Sequence, residues 1–445
     1  MSNADDRFER IVADMLTDTA PSRLPSDLIS DTERVLDKTR RRPPWFALIK
    51  EPPMRYSSSL AVGSPTVRAV AILAATLLIT IMVAGAGLAG SRLLAANGPI
   101  IVDANGGGDY TTIVEAVAAA PDGSTIEVMP GTYAGQVEIT KDITLEGMGE
   151  DEADVVLTFD SSGSRASWPR ESDGLPDRGV APYGLFLNET DAIVRNLTVQ
   201  GPQVAEGIRI NGGAPHVERV TVHLEQPFNG PRDALVIELG SAATIHDVDL
   251  NGWLGVGPGT ATITDSRLSC GSAIYGEGAS PELRGNTFSD ERDLEDCGYG
   301  LSIDDGATPT LVGNDISMDP GGVEISGEGT NPTLRENTIH SSGGPVGASE
   351  SPREDITFRG ITVQEGAAPR LIGNVLDDNA TGIFIDGSKP VVEGNSVTGG
   401  DVGIEIVNGA DPALSGNTVC DNTTNVVADP VTVTSIEEAN EICAD

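Results

Sequence analysis

The chain of 445 residues carries 28 Lys and Arg against 67 Asp and Glu, a formal net charge of −39. With 53 Gly, 28 Pro and 17 aromatics at 39% hydrophobic content, it is too apolar for disorder and has the turn-rich, aliphatic make-up of a β protein. So acidic a surface repels the phosphates of DNA and RNA, which excludes nucleic acid as a partner.

The first elements along the chain are two short helices. Residues 5–16 place Phe8, Ile11, Val12, Met15 and Leu16 at helical spacing, and residues 26–39 repeat the pattern weakly. The stretch from Arg40 to Phe46 is basic and aromatic and suits a membrane surface. Ala69 to Ser91 is then 23 residues without a charge, about 34 Å as a helix, which is enough to span a bilayer. Seven basic residues and one acid lie from Lys38 to Arg68, whereas after Arg92 the next basic residue is Lys141. The positive-inside rule therefore makes residues 1–67 a cytoplasmic segment, 68–92 a single transmembrane helix and 98–445 an exterior domain. Ala84-Gly85-Ala86 resembles a signal-peptide cleavage site, but the leader ahead of the apolar run is too long for one. The expected location is the cell membrane, with a cytoplasmic protein as one conceivable partner of residues 1–67.

Past Arg92, 16 Lys and Arg face 57 Asp and Glu, so the exterior domain carries −41. Cys270, Cys297, Cys420 and Cys443 all lie in it, as expected for disulfides in an oxidising compartment.

This domain repeats itself. The phrase Pro-x-Leu-x-Gly-Asn-x-Ile recurs at Pro281–Phe288, Pro309–Ile316, Pro332–Ile339, Pro369–Leu376 and Pro412–Val419, with Val391–Val397 a close variant. Weaker copies align positions 196, 219, 247 and 265 with Asn286, Asn314, Asn337, Asn374, Asn395 and Asn417, a base period of about 22 residues. A second phrase, Gly-Ile-x-Ile, falls between the copies at Gly207, Gly300, Gly322, Gly360, Gly382 and Gly403. Alternating apolar residues make both phrases strands, with Gly and Asn at the corners. Such a coil cannot bury its own interior. Stacking coils about 4.8 Å apart sets inward Leu, Ile and Val on their equivalents and lets corner Asn side chains bond along a ladder. A leucine-rich repeat lacks these phrases, and a propeller blade needs about 40 residues.

The opening Val102-Asp103-Ala104-Asn105-Gly106-Gly107-Gly108-Asp109-Tyr110-Thr111-Thr112-Ile113, followed by Pro121 and Gly131-Thr132-Tyr133, resembles the start of pectinesterases. The resemblance is to the right-handed parallel β-helix of the pectin-lyase-like proteins and covers residues 100–445; the implied fold class is all-β. Thr112 with Glu115 forms a capping box for an N-terminal cap helix over 111–120, and Ser435 with Glu438 does the same in a C-terminal cap over 420–445. Such caps cover the sticky open ends of a stacked sheet. Cys270 lies three residues before Ala273-Ile274 and Cys297 three before Gly300-Leu301, so the two share a position in successive coils at disulfide distance. Cys420 and Cys443 would tie the C-terminal cap to the last full coil.

The family's enzyme signatures stop at the N-terminal cap. The acid that pectinesterases place after the Gly-x-Tyr tyrosine is Gly135 here, and the later catalytic motifs of pectinesterases and polygalacturonases have no match. The resemblance implies that chemistry, if any, lies on the outward face of the Gly-Ile-x-Ile strands. Outward positions there include Phe186, Arg209, Tyr275, Glu324 and Phe384, which together with Trp168 in a long insertion are candidate ligand-binding residues. Two residues further along the strands Glu277 and Asp304 stack, and Asp305 and Glu324 lie close. Glu277, Asp304 and Asp305 are thus the candidate catalytic residues, and with Asp293 of the following acidic connection they form a candidate Ca²⁺ site. The bland alternative is ordinary turn residues and a solvated loop.

The exterior domain is read as a non-catalytic binding module for polysaccharide or cell-envelope components. The alternatives are a polysaccharide-active lyase, hydrolase, epimerase or esterase, and an envelope sensor signalling through residues 1–67. The charge disfavours an anionic chain unless Ca²⁺ bridges it.

Overall fold

The computed structural model describes residues 98–160, 182–202, 205–225, 233–269, 271–289, 300–317, 321–340, 359–428 and 436–444. The chain divides into two compact units, Met1–Thr80 and Ile81–Asp445, and all described residues belong to the second. Among them no helix is long and apolar enough to cross a membrane. The cytoplasmic helices, residues 69–91, Trp168, Asp293, Cys270, Cys297 and Ser435 lie outside them.

Short strands alternate between two parallel sheets, one of 23 strands and one of 12 among the described residues. Every pairing joins a strand to its equivalent one coil on, the arrangement expected from the period. What holds the coils is register. One inward row runs Val194, Val217, Ile245, Ile263, Leu283, Leu311, Leu334, Leu371, Val392, each the direct partner of the next. All nine side chains are fully buried. Each contributes about 1.5–3 kcal/mol of hydrophobic stabilisation, and branched aliphatic residues suit the row because identical shapes pack on the pleat at every level.

The corners carry the expected ladder. The Nδ2 atoms of Asn286, Asn314, Asn337, Asn374, Asn395 and Asn417 each donate to the Oδ1 of the next, ending on Asn440, at 2.7–3.0 Å. Toward the N-terminus the ladder continues through Ser266, whose backbone N–H donates to Asn286 Oδ1 and whose Oγ accepts from Val248 N–H. This corrects the alignment by one residue. The equivalents of Asn286 are Ser266, Val248, Val220 and Leu197, while Asn196, Arg219, Asp247 and Asp265 share the preceding position with Gly285. That position has positive φ throughout, from 50° to 64° in these five residues. The true separations between successive ladder residues from Val248 to Asn440 are 18, 20, 28, 23, 37, 21, 22 and 23.

At the N-terminal end, helix Ile113–Ala119 buries Ile113, Ala116 and Val117. Thr112 caps it, its Oγ1 accepting from Glu115 N–H and donating to Glu115 Oε2. Lys141 closes the other end, donating to the carbonyls of Val117, Ala118 and Ala120 at 2.8–3.1 Å, a cation on the negative pole of the helix. At the C-terminal end, residues 436–439 form one helical turn, strand Glu441–Ile442 pairs with Thr418–Val419, and Cys420 and Cys443 are joined by a disulfide.

Candidate functional site

The 12-stranded sheet runs in chain order from Val137–Ile139 to Thr424–Val427. Its inner side chains fill the core, which leaves the alternate ones to form an outward face. One outward row reads Phe186, Arg209, Val236, Gly255, Ala273, Ser302, Glu324, Thr362, Phe384, Glu405. A second, two residues on, includes Asn211, Glu238, Tyr275, Asp304, Ser326 and Gln364. Two expectations change here. Tyr275 belongs to the second row, because strand Ser272–Tyr275 pairs Ser272 with Leu301 and Tyr275 with Asp304. The strand Trp253–Val256, which lacks the Gly-Ile-x-Ile phrase, contributes a further coil.

Glu277 therefore does not stack on Asp304. It sits between Gly276 and Gly278, both at positive φ, in the turn after the strand, where its backbone faces Gly306. Asp305 likewise turns the chain, at φ 52°, beside Gly327. Among the described residues no three His, Cys, Asp or Glu side chains gather as metal ligands, and Asp293, the fourth member of the expected Ca²⁺ site, lies outside them.

The carboxylate that does approach Asp304 is Glu324. Ser302 pairs with Glu324 across adjacent strands, and Asp304 stands two residues beyond Ser302 on the same face, so the acids are diagonal neighbours with Cα atoms about 8 Å apart. Ser302 Oγ donates to Asp304 Oδ2 at 2.9 Å and Gln364 Nε2 to Glu324 Oε1 at 2.7 Å. Partial burial, then the charges of Asp304 and Glu365, raise the Glu324 carboxyl above its ordinary value, against the pull of Arg359.

The aromatic residues divide. Phe186 and Phe384 are only 9% and 8% exposed, so neither is the open surface expected of it. The Tyr183 ring lies 5.2 Å from that of Phe186, and the Arg359 guanidinium covers Phe384 at 3.5 Å from its centroid. Tyr275 differs. Its ring lies across the neighbouring coil, with one ε carbon 3.9 Å from where a Cβ would stand on Gly255 and the other 3.5 Å from the same point on Gly257. Its hydroxyl donates to Glu238 Oε1 at 2.6 Å. Two side-chain-free positions let the ring lie down on the sheet, and it is half-buried there.

Arg209 is 2% exposed and lies within an ionic network. Its Nη1 donates to both oxygens of Glu206 at 2.7 and 2.9 Å, its Nη2 to Glu238 Oε2 at 2.9 Å and its Nε to Asn211 Oδ1 at 3.3 Å. Burial pushes the Glu206 carboxyl up to about 7, over the opposing pull of Arg209, with Asp233 and Glu238 adding to the rise. Sequence reasoning missed Glu206, Gly255 and Gly257; the glycines at alternate positions after Trp253 were the available signal.

A family model described as a right-handed β-helix region matches residues 183–423. The chain belongs to the right-handed β-helix family. No curated protein matches this β-helix chain. Among solved structures, pectin methylesterase from carrot shares 12% identity over 79% of this chain and 89% of its own, at a TM-score of 0.32. Tailspike protein 3 of bacteriophage CBA120 shares 15% over 78% and 61%, at 0.36. The mannuronan C-5 epimerase A-module of Azotobacter vinelandii shares 14% over 74% and 92%, at 0.34. Likenesses this distant carry no argument about what this β-helix does.

A concavity of about 450 Å³ lies on the 23-stranded sheet, lined by Glu152, Arg219, Asp247, Asp265, Arg267 and Thr287 among others. It is on the other sheet from Tyr275, and its residues were absent from the expected site.

Proposed function

We propose that the outward face of the 12-stranded sheet binds an uncharged polysaccharide outside the cell, without cleaving it. The observation that carries this is the Tyr275 ring lying over Gly255 and Gly257 with its hydroxyl tied to Glu238. A half-buried ring lying flat on the sheet in that posture turns a face outward, and an aromatic face is the surface on which the apolar side of a pyranose stacks. Asp304, Ser302, Glu324 and Gln364 follow along the axis as acceptors and donors for sugar hydroxyls. The local acids and the −41 of the exterior segment repel a uronate chain, which selects an uncharged one.

In this reading residues 68–92 hold the β-helix at the outer surface of the cell membrane. The uncharged run of residues 69–91 and the Cys420–Cys443 disulfide, a bond of oxidising compartments, support that placement.

The placement of Asp304 and Glu324 as diagonal neighbours on one face favours a second reading. Two acids that project from adjacent strands are the kind of pair a glycoside hydrolase uses, with Glu324 the proton donor and Asp304 the second carboxylate. Full-length protein in detergent, applied to an array of neutral and anionic polysaccharides, separates the two. Binding to a neutral glycan that Tyr275→Ala abolishes, with no new reducing ends, supports the binding reading. Reducing ends that disappear in Asp304→Asn and Glu324→Gln support hydrolysis. Binding untouched by Tyr275→Ala contradicts both placements of the ligand.

A further inference from the structure

Glu206, Arg209 and Glu238 are 4%, 2% and 3% exposed, although all three project from the outward side of the sheet. Burying two carboxylates around one guanidinium costs several kcal/mol of desolvation per ion, and apolar residues of the same volume often stabilise as well or better. Stability alone is therefore a weak reason for this network. Its geometry suggests another. Glu238 turns one oxygen to Arg209 and the other to the Tyr275 hydroxyl, two coils away across the glycine-bearing strand.

We propose that the buried Glu206–Arg209–Glu238 network is a positioning device that holds the Tyr275 ring down on Gly255 and Gly257 before any ligand arrives. Arg209 fixes the Glu238 carboxylate, and Glu238 fixes the hydroxyl of the ring. With its rotation restricted, the platform loses little conformational freedom on binding, which is how preorganisation raises affinity. The inference rests on the reading of Tyr275 as a stacking platform, but its test does not need a glycan.

The network also couples the ring to pH. Glu206 faces Arg209 on its own strand, Asp233 and Glu238 on the next, and Tyr183 on the preceding one. Burial raises Glu206 to about 7. Above that pH it is ionised and shares Arg209 with Glu238; below it the neutral carboxyl holds the guanidinium less strongly, and the balance of Arg209 shifts toward Glu238.

The test places a ring-fluorinated tyrosine at position 275 of the full-length chain and follows its fluorine resonance. The native chain is expected to give one resonance far from that of free fluorotyrosine, moving with a midpoint near pH 7 that Glu206→Gln removes. Arg209→Met is expected to shift the resonance toward the free position, and Arg209→Lys to restore it in part. If Arg209→Met fails to fold, Glu238→Gln, which keeps the side-chain shape, reports the same shift. A resonance unmoved in every variant overturns the proposal, as does one already at the free position in the native chain. A resonance that moves as expected in a protein that binds no glycan would leave the positioning intact and remove the glycan reading.

Discussion

The Asn ladder makes the sharpest energetic prediction, and Asn374 is its clearest rung. Its Nδ2 donates to Leu334 O at 3.0 Å and to Asn395 Oδ1 at 2.9 Å, while its Oδ1 accepts from the backbone N–H and Nδ2 of Asn337 at 3.1 and 2.9 Å. The side chain is fully buried. Asn374→Ala removes all four bonds at once. It also strands the Asn337 N–H, one Asn337 amide hydrogen and the Leu334 carbonyl, none of which water can reach in their buried surroundings. At about 1 kcal/mol for each net bond the loss is about 4 kcal/mol, and the cost of the stranded buried groups is of the same size. Asn331→Ala is the control, because Asn331 makes one exposed bond to Gly329 O and should cost less than about 0.5 kcal/mol. Urea unfolding followed by far-ultraviolet circular dichroism gives both values from the shift in midpoint at unchanged slope. If Asn374→Ala costs no more than Asn331→Ala, the ladder is decoration and the register built on it loses its energetic basis.

Three further outcomes are expected. Gly257→Val pushes the Tyr275 ring and Glu238 off the strand, since a Cβ there stands 3.3 Å from Glu238 Cγ and 3.5 Å from the ring; on the array it should abolish glycan binding while circular dichroism stays that of a folded β protein. A Glu206 carboxyl raised from 4.5 to about 7 keeps its proton in the folded state where the unfolded state has lost it, so its contribution to stability falls as pH rises between those values. Wild type should therefore lose on the order of 3 kcal/mol relative to Glu206→Gln between pH 4 and pH 8, measured by urea unfolding at each pH. Cys443→Ser opens a loop closed over 23 residues, worth about 3 kcal/mol in the chain-entropy account, and should raise hydrogen exchange of strand Glu441–Ile442 while leaving the central coils unchanged.

Much of this was legible in the sequence, and the two slips show where legibility ends. The period, the parallel stacking and the ladder of Asn286 to Asn417 follow from phrases that repeat nearly verbatim. The one-residue slip at Asn196, Asp247 and Asp265 has a chemical cause: after Gly, Asn and Asp most readily enter the positive-φ corner, so an Asn can mark either the corner or the ladder residue after it; Arg219 at the same corner follows no such preference. The two-residue slip at Tyr275 has a geometric one. Moving a strand by two residues returns every side chain to the same face, so alternation cannot detect it, and only the pairing of Ser272 with Leu301 does. That slip paired Asp304 with Glu277 and hid its true neighbours, Tyr275 and Glu324. The burial of Phe186, Phe384 and Arg209 was out of reach for another reason, since it depends on Tyr183, Arg359 and Glu206, which periodicity places on the chain but not against their partners.

Hydroxyl-radical footprinting of the full-length protein, with and without the neutral polysaccharide it retains on the array, tests the central claim most directly. Protection should fall on Tyr275 and on strands Ser272–Tyr275, Leu301–Asp304 and Gly321–Ser326, and should vanish in Tyr275→Ala. Protection confined to Asp247, Asp265 and Arg267 would contradict the account, because it would place the ligand in the concavity of the other sheet.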